Sequence, residues 1–290
     1  MKTISIIGVG IMGSGMAMNL QKKGYHLKLY SRNPNKIQHL KNESTMITDS
    51  IKDAISNNDI TILCLTEDSV VESIFFHPDF LNTPQKVIID TGTTSPELTL
   101  KMFEEAKKRK IRFFDAPMTG SKNAALAGEI IYMMGGTDED YALGKDVFET
   151  CGKLTFRCGP VSYGQRAKIA LNLVQAGIYQ IYIEGFMLAI KQGVDFDVFF
   201  NILNSSAAKS PILEFKIGNA KKRDFSPHFS LKNMNKDINH AIRESLKYQV
   251  SLPLSSNLKT LYNAGMNANF AEEDFASLIK INEELNKIQL

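Results

Sequence analysis

The chain has 290 residues, 43% of them hydrophobic, and its 34 basic and 31 acidic side chains leave a net charge of +3. That length suits two domains with ordinary cores, while the small, scattered charge argues against a nucleic-acid surface; the one dense run, Lys107-Lys108-Arg109-Lys110, reads as the solvated last turn of a helix. Cys64, Cys151 and Cys158 have no metal-ligand spacing, so no metal site is expected, their odd count fits a reducing cytoplasm, and no uninterrupted apolar run reaches the ~18 residues of a membrane span.

The chain opens with its strongest signal. Residues 4–7 form a short apolar strand that runs into Gly8-x-Gly10-x-x-Gly13, a helical pattern (Met12, Met16, Leu20) and a second strand at 26–30. With residue 4 already in a strand, no N-terminal signal is expected. Gly8 suits a tight turn, Gly10 the close approach of a pyrophosphate, and Gly13 close packing of helix on sheet. The backbone of Gly8, Val9, Gly10, Ile11, Met12 and Gly13 thereby becomes a candidate dinucleotide site, with the positive end of the helix facing the phosphates. NAD sites place Asp or Glu at the end of the second strand, against the ribose hydroxyl. Here the residues are Ser31, Arg32 and Asn33. An Arg fork suits a 2′-phosphate, which predicts NADP(H) over NAD(H), with NAD(H) still possible. The alternative is that Arg32 is an ordinary solvated loop residue.

Next come a helix at 34–42, a short strand near Met46, a helix at 50–56, a strand at 60–65 and a helix from Asp68. A strand at 87–90, a helix at 96–108, a strand at Phe113-Phe114-Asp115 and strands at 130–134 and 154–156 follow. Strands alternating with helices predict an α/β fold, a Rossmann-type doubly wound parallel sheet. Ligands then sit at the carboxyl ends of its strands, at Leu65-Thr66, 91–94 and 116–121. The pattern changes at Gly164. Residues 165–192 read as one helix about 42 Å long, with Gly193 as its stop. The rest reads as helical, with turns at 205–211, 224–230, 252–255 and 267–271. The expected organisation is a Rossmann domain over 1–163, a long interdomain helix over 164–193 and an all-α domain over 194–290.

Three segments carry chemistry. Asp115-Ala116-Pro117-Met118-Thr119-Gly120-Ser121-Lys122 offers hydroxyls and backbone N–H groups that suit a substrate carboxylate, or it is an ordinary polar loop. Lys168 and Asn172 are four apart on the long helix and share a face. An ammonium there stabilises the oxygen of a carbonyl accepting hydride and delivers its proton; Asn172 holds the lysine or the substrate oxygen. The alternative for Lys168 is a surface lysine. Lys236-Asp237 is a second helical pair, placed to contact cofactor and substrate, to pair with Lys168, or simply to be solvated.

Together these motifs resemble the β-hydroxyacid dehydrogenase family, also called the 3-hydroxyisobutyrate dehydrogenase family, nearly end to end. GVGIMGSGMAMNL is similar to its cofactor turn. Asp90-Thr-Gly-Thr93-Thr-Ser-Pro96 resembles its nicotinamide-side loop, with the family's threonine at Thr93. Thr119, Gly120 and Ser121 stand where the substrate loop has Ser-Gly-Gly. Lys168 matches the catalytic lysine, Asn172 its helical partner, and Lys236-Asp237 the Lys-Asp pair whose lysine touches the cofactor. The usual double Asn is here Leu171-Asn172, and the usual loop Ser is Thr119.

Gly120-Ser121-Lys122, Ser210-Pro211-Ile212 with Lys216, and Phe229-Ser-Leu231-Lys232 resemble the glyoxylate and succinic semialdehyde reductases most. The resemblance implies a homodimeric or homotetrameric oxidoreductase that reduces a small carboxylate-bearing aldehyde to its hydroxy acid with NADPH, and the cysteine count leads us to expect it in the cytoplasm. Ser31, Arg32, Asn33, Leu65, Thr93 and Lys236 join the glycine turn at the cofactor. Thr119, Gly120, Ser121, Lys168, Asn172 and Asp237 meet the substrate. Two alternatives are a 3-hydroxyisobutyrate or tartronate semialdehyde enzyme and a non-catalytic dinucleotide-binding protein. Phosphogluconate dehydrogenase-like chains have a larger helical domain, and imine reductases typically lack the lysine.

Overall fold

The computed structural model describes residues 2–290. The chain forms two compact units, one ending at Lys168 and the other spanning Ile169–Leu290. The first unit is built on a nine-stranded sheet: β1 (Thr3–Ile7), β2 (His26–Tyr30), β3 (Thr45–Thr48), β4 (Ile60–Leu63), β5 (Val87–Asp90), β6 (Arg112–Asp115), β7 (Met118–Thr119), β8 (Ile130–Gly135) and β9 (Gly152–Gly159). Their order is β3-β2-β1-β4-β5-β6-β8-β7, with β9 pairing β8. The first six run parallel. Between them lie α1 (Ile11–Lys22), α2 (Ile51–Ile55), α3 (Asp68–Phe75), α4 (Pro78–Asn82) and α5 (Pro96–Lys108), followed by α6 (Lys122–Ala127) and α7 (Asp138–Cys151).

The central strands read as continuous apolar runs because both sheet faces are covered. Ile4, Ile6, Ile62, Ile89 and Phe114 face one core with Met16, Leu20 and Phe148. Ile7, Leu63, Ile88 and Phe113 face the other with Val71, Phe75 and Met102. Each such side chain contributes about 1.5–3 kcal/mol through burial. The register places Tyr30, Ile7, Leu63, Asp90 and Asp115 side by side in one row across five strands. The loops that follow these residues therefore leave the same edge of the sheet.

Several elements differ from expectation. Beyond β6 the sheet is not wholly parallel, since β8 runs antiparallel to both β6 and β7. The chain adds β7 and α6 and then returns, and an antiparallel return needs no crossover. Residues Pro34–Leu40 form a 3₁₀ helix, whose two buried side chains, Ile37 and Leu40, match its three-residue repeat. β4 stops at Leu63, two residues early.

The long helix α8 (Tyr163–Lys191) begins in the first unit and supplies the first helix of the second. Around it lie α9 (Phe196–Asn204), a π-helical turn at Leu213–Ile217, α10 (Gly218–Lys221), α11 (Leu231–Lys247), α12 (Pro253–Asn267) and α13 (Leu278–Asn286). Residues 253–255, expected in a turn, are helical because Pro253 opens α12, where its fixed φ suits the first helical position. Tyr179, Ile183 and Phe186 of α8 pack with Leu231, Met234, Ile238 and Tyr262. A buried ion pair crosses this core: Lys216 Nζ lies 2.7 and 2.8 Å from the two oxygens of Asp274, which also accept the backbone N–H groups of His228, Phe229 and Ala276.

Counting uninterrupted apolar runs understates α8. It contains an 18-residue window of mean hydropathy 1.3, long and apolar enough by composition to cross a membrane, and 44% of that window is buried within the protein. Val174, Ile181 and Leu188 make an exposed stripe along it at seven-residue intervals.

Candidate functional site

The turn after β1 has the geometry of an anion site. Gly8 has φ +100°, and a Cβ there would lie 2.3 Å from the Cys64 carbonyl oxygen and 2.9 Å from Leu65 Cδ2. Gly13 is closed in the same way, 2.3 Å from the Gly8 carbonyl oxygen; the turn itself, more than the sheet, excludes a side chain here. Gly10 differs, because a Cβ would meet nothing within 4 Å. Gly10 is also the N-cap of α1, which has no side-chain cap and no acid in its first turn. Ile11 is 43% exposed beside it. An uncapped, acid-free helix end under open space fits a pyrophosphate. Leu65 borders the turn, following β4 as Gly8 follows β1, at the point where the strand order reverses.

At the end of β2, Ser31 Oγ accepts the Asn33 N–H at 3.2 Å and donates to the Asn33 carbonyl at 3.0 Å. Arg32 is exposed and has no partner among the described residues. No carboxylate occupies this three-residue turn.

Thr93 follows β5 in a tightly held loop. A Cβ at Gly92 would lie 2.0 Å from the Leu65 carbonyl oxygen, so the two loops touch backbone to backbone. Gln165, in the first turn of α8, holds the same loop. Its Oε1 accepts the Thr94 N–H at 3.0 Å, and its Nε2 donates to the Gly92 carbonyl at 2.9 Å and to Asp90 at 3.2 Å. Asp115 caps α8, accepting the N–H groups of Ser162 and Gln165 at 2.6 and 2.8 Å. Burial pushes its carboxyl up to about 7, with Asp90 adding to the shift against those two hydrogen bonds. Neither Gln165 nor the capping role of Asp115 was visible in the sequence.

The loop after β6 puts Thr119 in β7, paired with Ile131, and leaves Gly120 and Ser121 exposed. The Ser121 hydroxyl accepts the Ala124 N–H at 3.2 Å and caps α6, leaving its own O–H to donate. Burial pushes Cys64 up to about 11 and Cys151 to about 12, which keeps both thiols protonated.

Lys168 and Asn172 lie one turn apart on α8 and are 6% and 1% exposed. In the second unit, Asn172 Nδ2 donates to Asp237 Oδ2 at 2.5 Å. Asp237 is fully buried on α11, and Lys236 Nζ lies 3.2 Å from its other oxygen. The fold thus gathers Asn172, Lys236 and Asp237 from two helices, 65 residues apart in sequence between Asn172 and Asp237.

The family described as the NAD-binding domain of 6-phosphogluconate dehydrogenase matches residues 3–161, and the one described as NAD-binding of NADP-dependent 3-hydroxyisobutyrate dehydrogenase matches residues 162–282. The chain is 26% identical to glyoxylate/succinic semialdehyde reductase 1 of Arabidopsis thaliana, over 96% of this chain and 97% of that protein. It is 29% identical to an NAD-dependent L-serine dehydrogenase of Pseudomonas aeruginosa, over 97% and 98%. The structure of Mycobacterium tuberculosis 3-hydroxyisobutyrate dehydrogenase with L-serine is similar, with TM-score 0.86 at 25% identity over 97% of this chain and 98% of that one. The cofactor class is a nicotinamide dinucleotide.

Proposed function

The chain belongs to the β-hydroxyacid dehydrogenase family of NAD(P)-dependent oxidoreductases, and from that premise we propose that it reduces a small aldehyde acid, such as glyoxylate or succinic semialdehyde, to the hydroxy acid with NADPH. The observation that carries this reading is the buried Lys168 one turn before a buried, oriented Asn172. Bound NADPH supplies the hydride. Lys168 Nζ stabilises the negative charge that grows on the carbonyl oxygen and delivers its proton, or removes it in the oxidative direction. One of the two Asn172 amide N–H groups donates to Asp237, which leaves the second to donate and Oδ1 to accept from the lysine or a substrate hydroxyl. Asp237 orients Asn172. Thr119, Gly120 and Ser121 hold the carboxylate.

Support for NADPH comes from the acid-free turn after β2, where Arg32 is exposed and unpaired among the described residues. A homodimer or homotetramer in the cytoplasm belongs to the same proposal; the exposed stripe Val174, Ile181, Leu188 suits a second copy, and the three free cysteines suit a reducing compartment.

Lys168→Ala tests the mechanism. Turnover of the aldehyde acid should fall about 10²–10⁴-fold, with NADPH affinity by fluorescence titration little changed. A near-normal rate sinks the assignment. A second reading, oxidation of a β-hydroxy acid such as 3-hydroxyisobutyrate or L-serine with NAD, is favoured by the names of two of the similar proteins.

A further inference from the structure

Lys168 stands one turn beyond Gln165 on α8, and Thr93 lies between the two loop residues that Gln165 binds. Gln165 is completely buried and its carboxamide is fully committed. Oε1 takes the Thr94 N–H, while Nε2 serves Asp90 and the Gly92 carbonyl. The start of α8 is itself fixed against β6 and β8. Asp115 accepts two N–H groups from it. A Cβ on Gly164 would lie 2.1 Å from the Met133 carbonyl oxygen, and one on Gly135 would lie 2.4 Å from Asp115 Oδ1. Just ahead of the helix, Ser162 is held at φ +79°, a left-handed conformation that a non-glycine residue keeps only where its surroundings impose it.

A buried glutamine whose side-chain hydrogen bonds all go to the end of β5 and the loop after it is more than a helix cap. Ordinary packing would satisfy this position with an apolar side chain, and Asp115 already caps the helix. What the amide adds is a rigid link between the loop carrying Thr93 and the turn carrying Lys168. Hydride and proton reach adjacent atoms of one carbonyl, so the groups that place them must hold a common register. We propose that Gln165 is a positioning residue that sets this register, fixing the Thr93 loop relative to the proton donor Lys168. The inference rests on the role given to Lys168 above.

Gln165→Leu keeps most of the volume and removes the amide. With saturating NADPH and aldehyde acid, kcat should fall roughly 10- to 100-fold, while NADPH affinity, which on this reading rests chiefly on the turns after β1 and β2, stays within about twofold. Amide exchange should quicken in residues 91–94 and stay unchanged in residues 4–7. If that variant does not fold, Gln165→Glu keeps length and the acceptor for Thr94 but turns an oxygen onto Asp90 and the Gly92 carbonyl, and the same split between kcat and NADPH affinity is expected. A folded variant with kcat close to the parent's, or with weakened NADPH binding and unchanged kcat, overturns the proposal. Lys168→Ala measured alongside separates the two failures. If it is inactive while the Gln165 variants are active, only this inference falls; if it is active, the role of Lys168 falls and the inference with it.

Discussion

Gly8 and Gly10 are two residues apart in one turn and are glycine for opposite reasons. Gly8 has φ +100° and no room, with the Cys64 carbonyl 2.3 Å from where a Cβ would stand. Gly10 has an ordinary φ of −86° and open space beside it. Gly8→Ala should therefore cost stability, about 1–3 kcal/mol from backbone strain alone and more from the clash. Gly10→Ala should leave the melting temperature almost unchanged and weaken NADPH binding, because its methyl enters the space the pyrophosphate needs. Thermal melts and NADPH titrations of the two variants check this pair; equal effects of both substitutions on both readouts contradict it. The turn was legible in the sequence because all three glycines stand within six residues of each other. Gln165 was not, because its partners at Asp90, Gly92 and Thr94 lie 71 to 75 residues away, and no local pattern marks a glutamine that only the fold brings into use.

At the scale of elements, the start of α8 is governed by a carboxylate on β6, 47 residues earlier. Burial disfavours the charge of Asp115 and pushes its carboxyl up from 3.8 to about 7. Between those values the folded chain holds a proton that the unfolded chain has released. The stability this contributes is complete below the unfolded value and lost as pH rises through about 7, on the order of 4 kcal/mol over the window. The parent should accordingly lose unfolding free energy relative to Asp115→Asn as pH is raised from about 4 to about 8; a parent that gains on the variant over that range contradicts the assignment. Other elements were legible to different degrees. β2, β5 and α5 fall where apolar runs and proline starts place them. The reversal at β8 was not legible, since an apolar run buried on both faces carries no sign of its direction.

For the whole molecule, the order β3-β2-β1-β4-β5-β6 aligns five strand ends in a row and so gathers loops that the sequence scatters from Gly8 to Ser121. The second unit brings Asn172, Lys236 and Asp237 together from α8 and α11. This division explains why the family and reaction class could be read from motifs in order, while substrate and cofactor preference, on the proposed reading, rest on single residues such as Arg32 and Thr119. The most direct test of the central claim follows nicotinamide absorbance with glyoxylate and succinic semialdehyde, each with NADPH and with NADH, for the parent and for Arg32→Asp. The account predicts turnover of at least one aldehyde acid, faster with NADPH in the parent, and a shift of at least about tenfold toward NADH in the variant, equivalent to the ~1.4 kcal/mol of one charge-assisted phosphate contact. No reduction of either aldehyde acid alongside brisk NAD-dependent oxidation of 3-hydroxyisobutyrate or L-serine, or an unchanged cofactor ratio in Arg32→Asp, would contradict it.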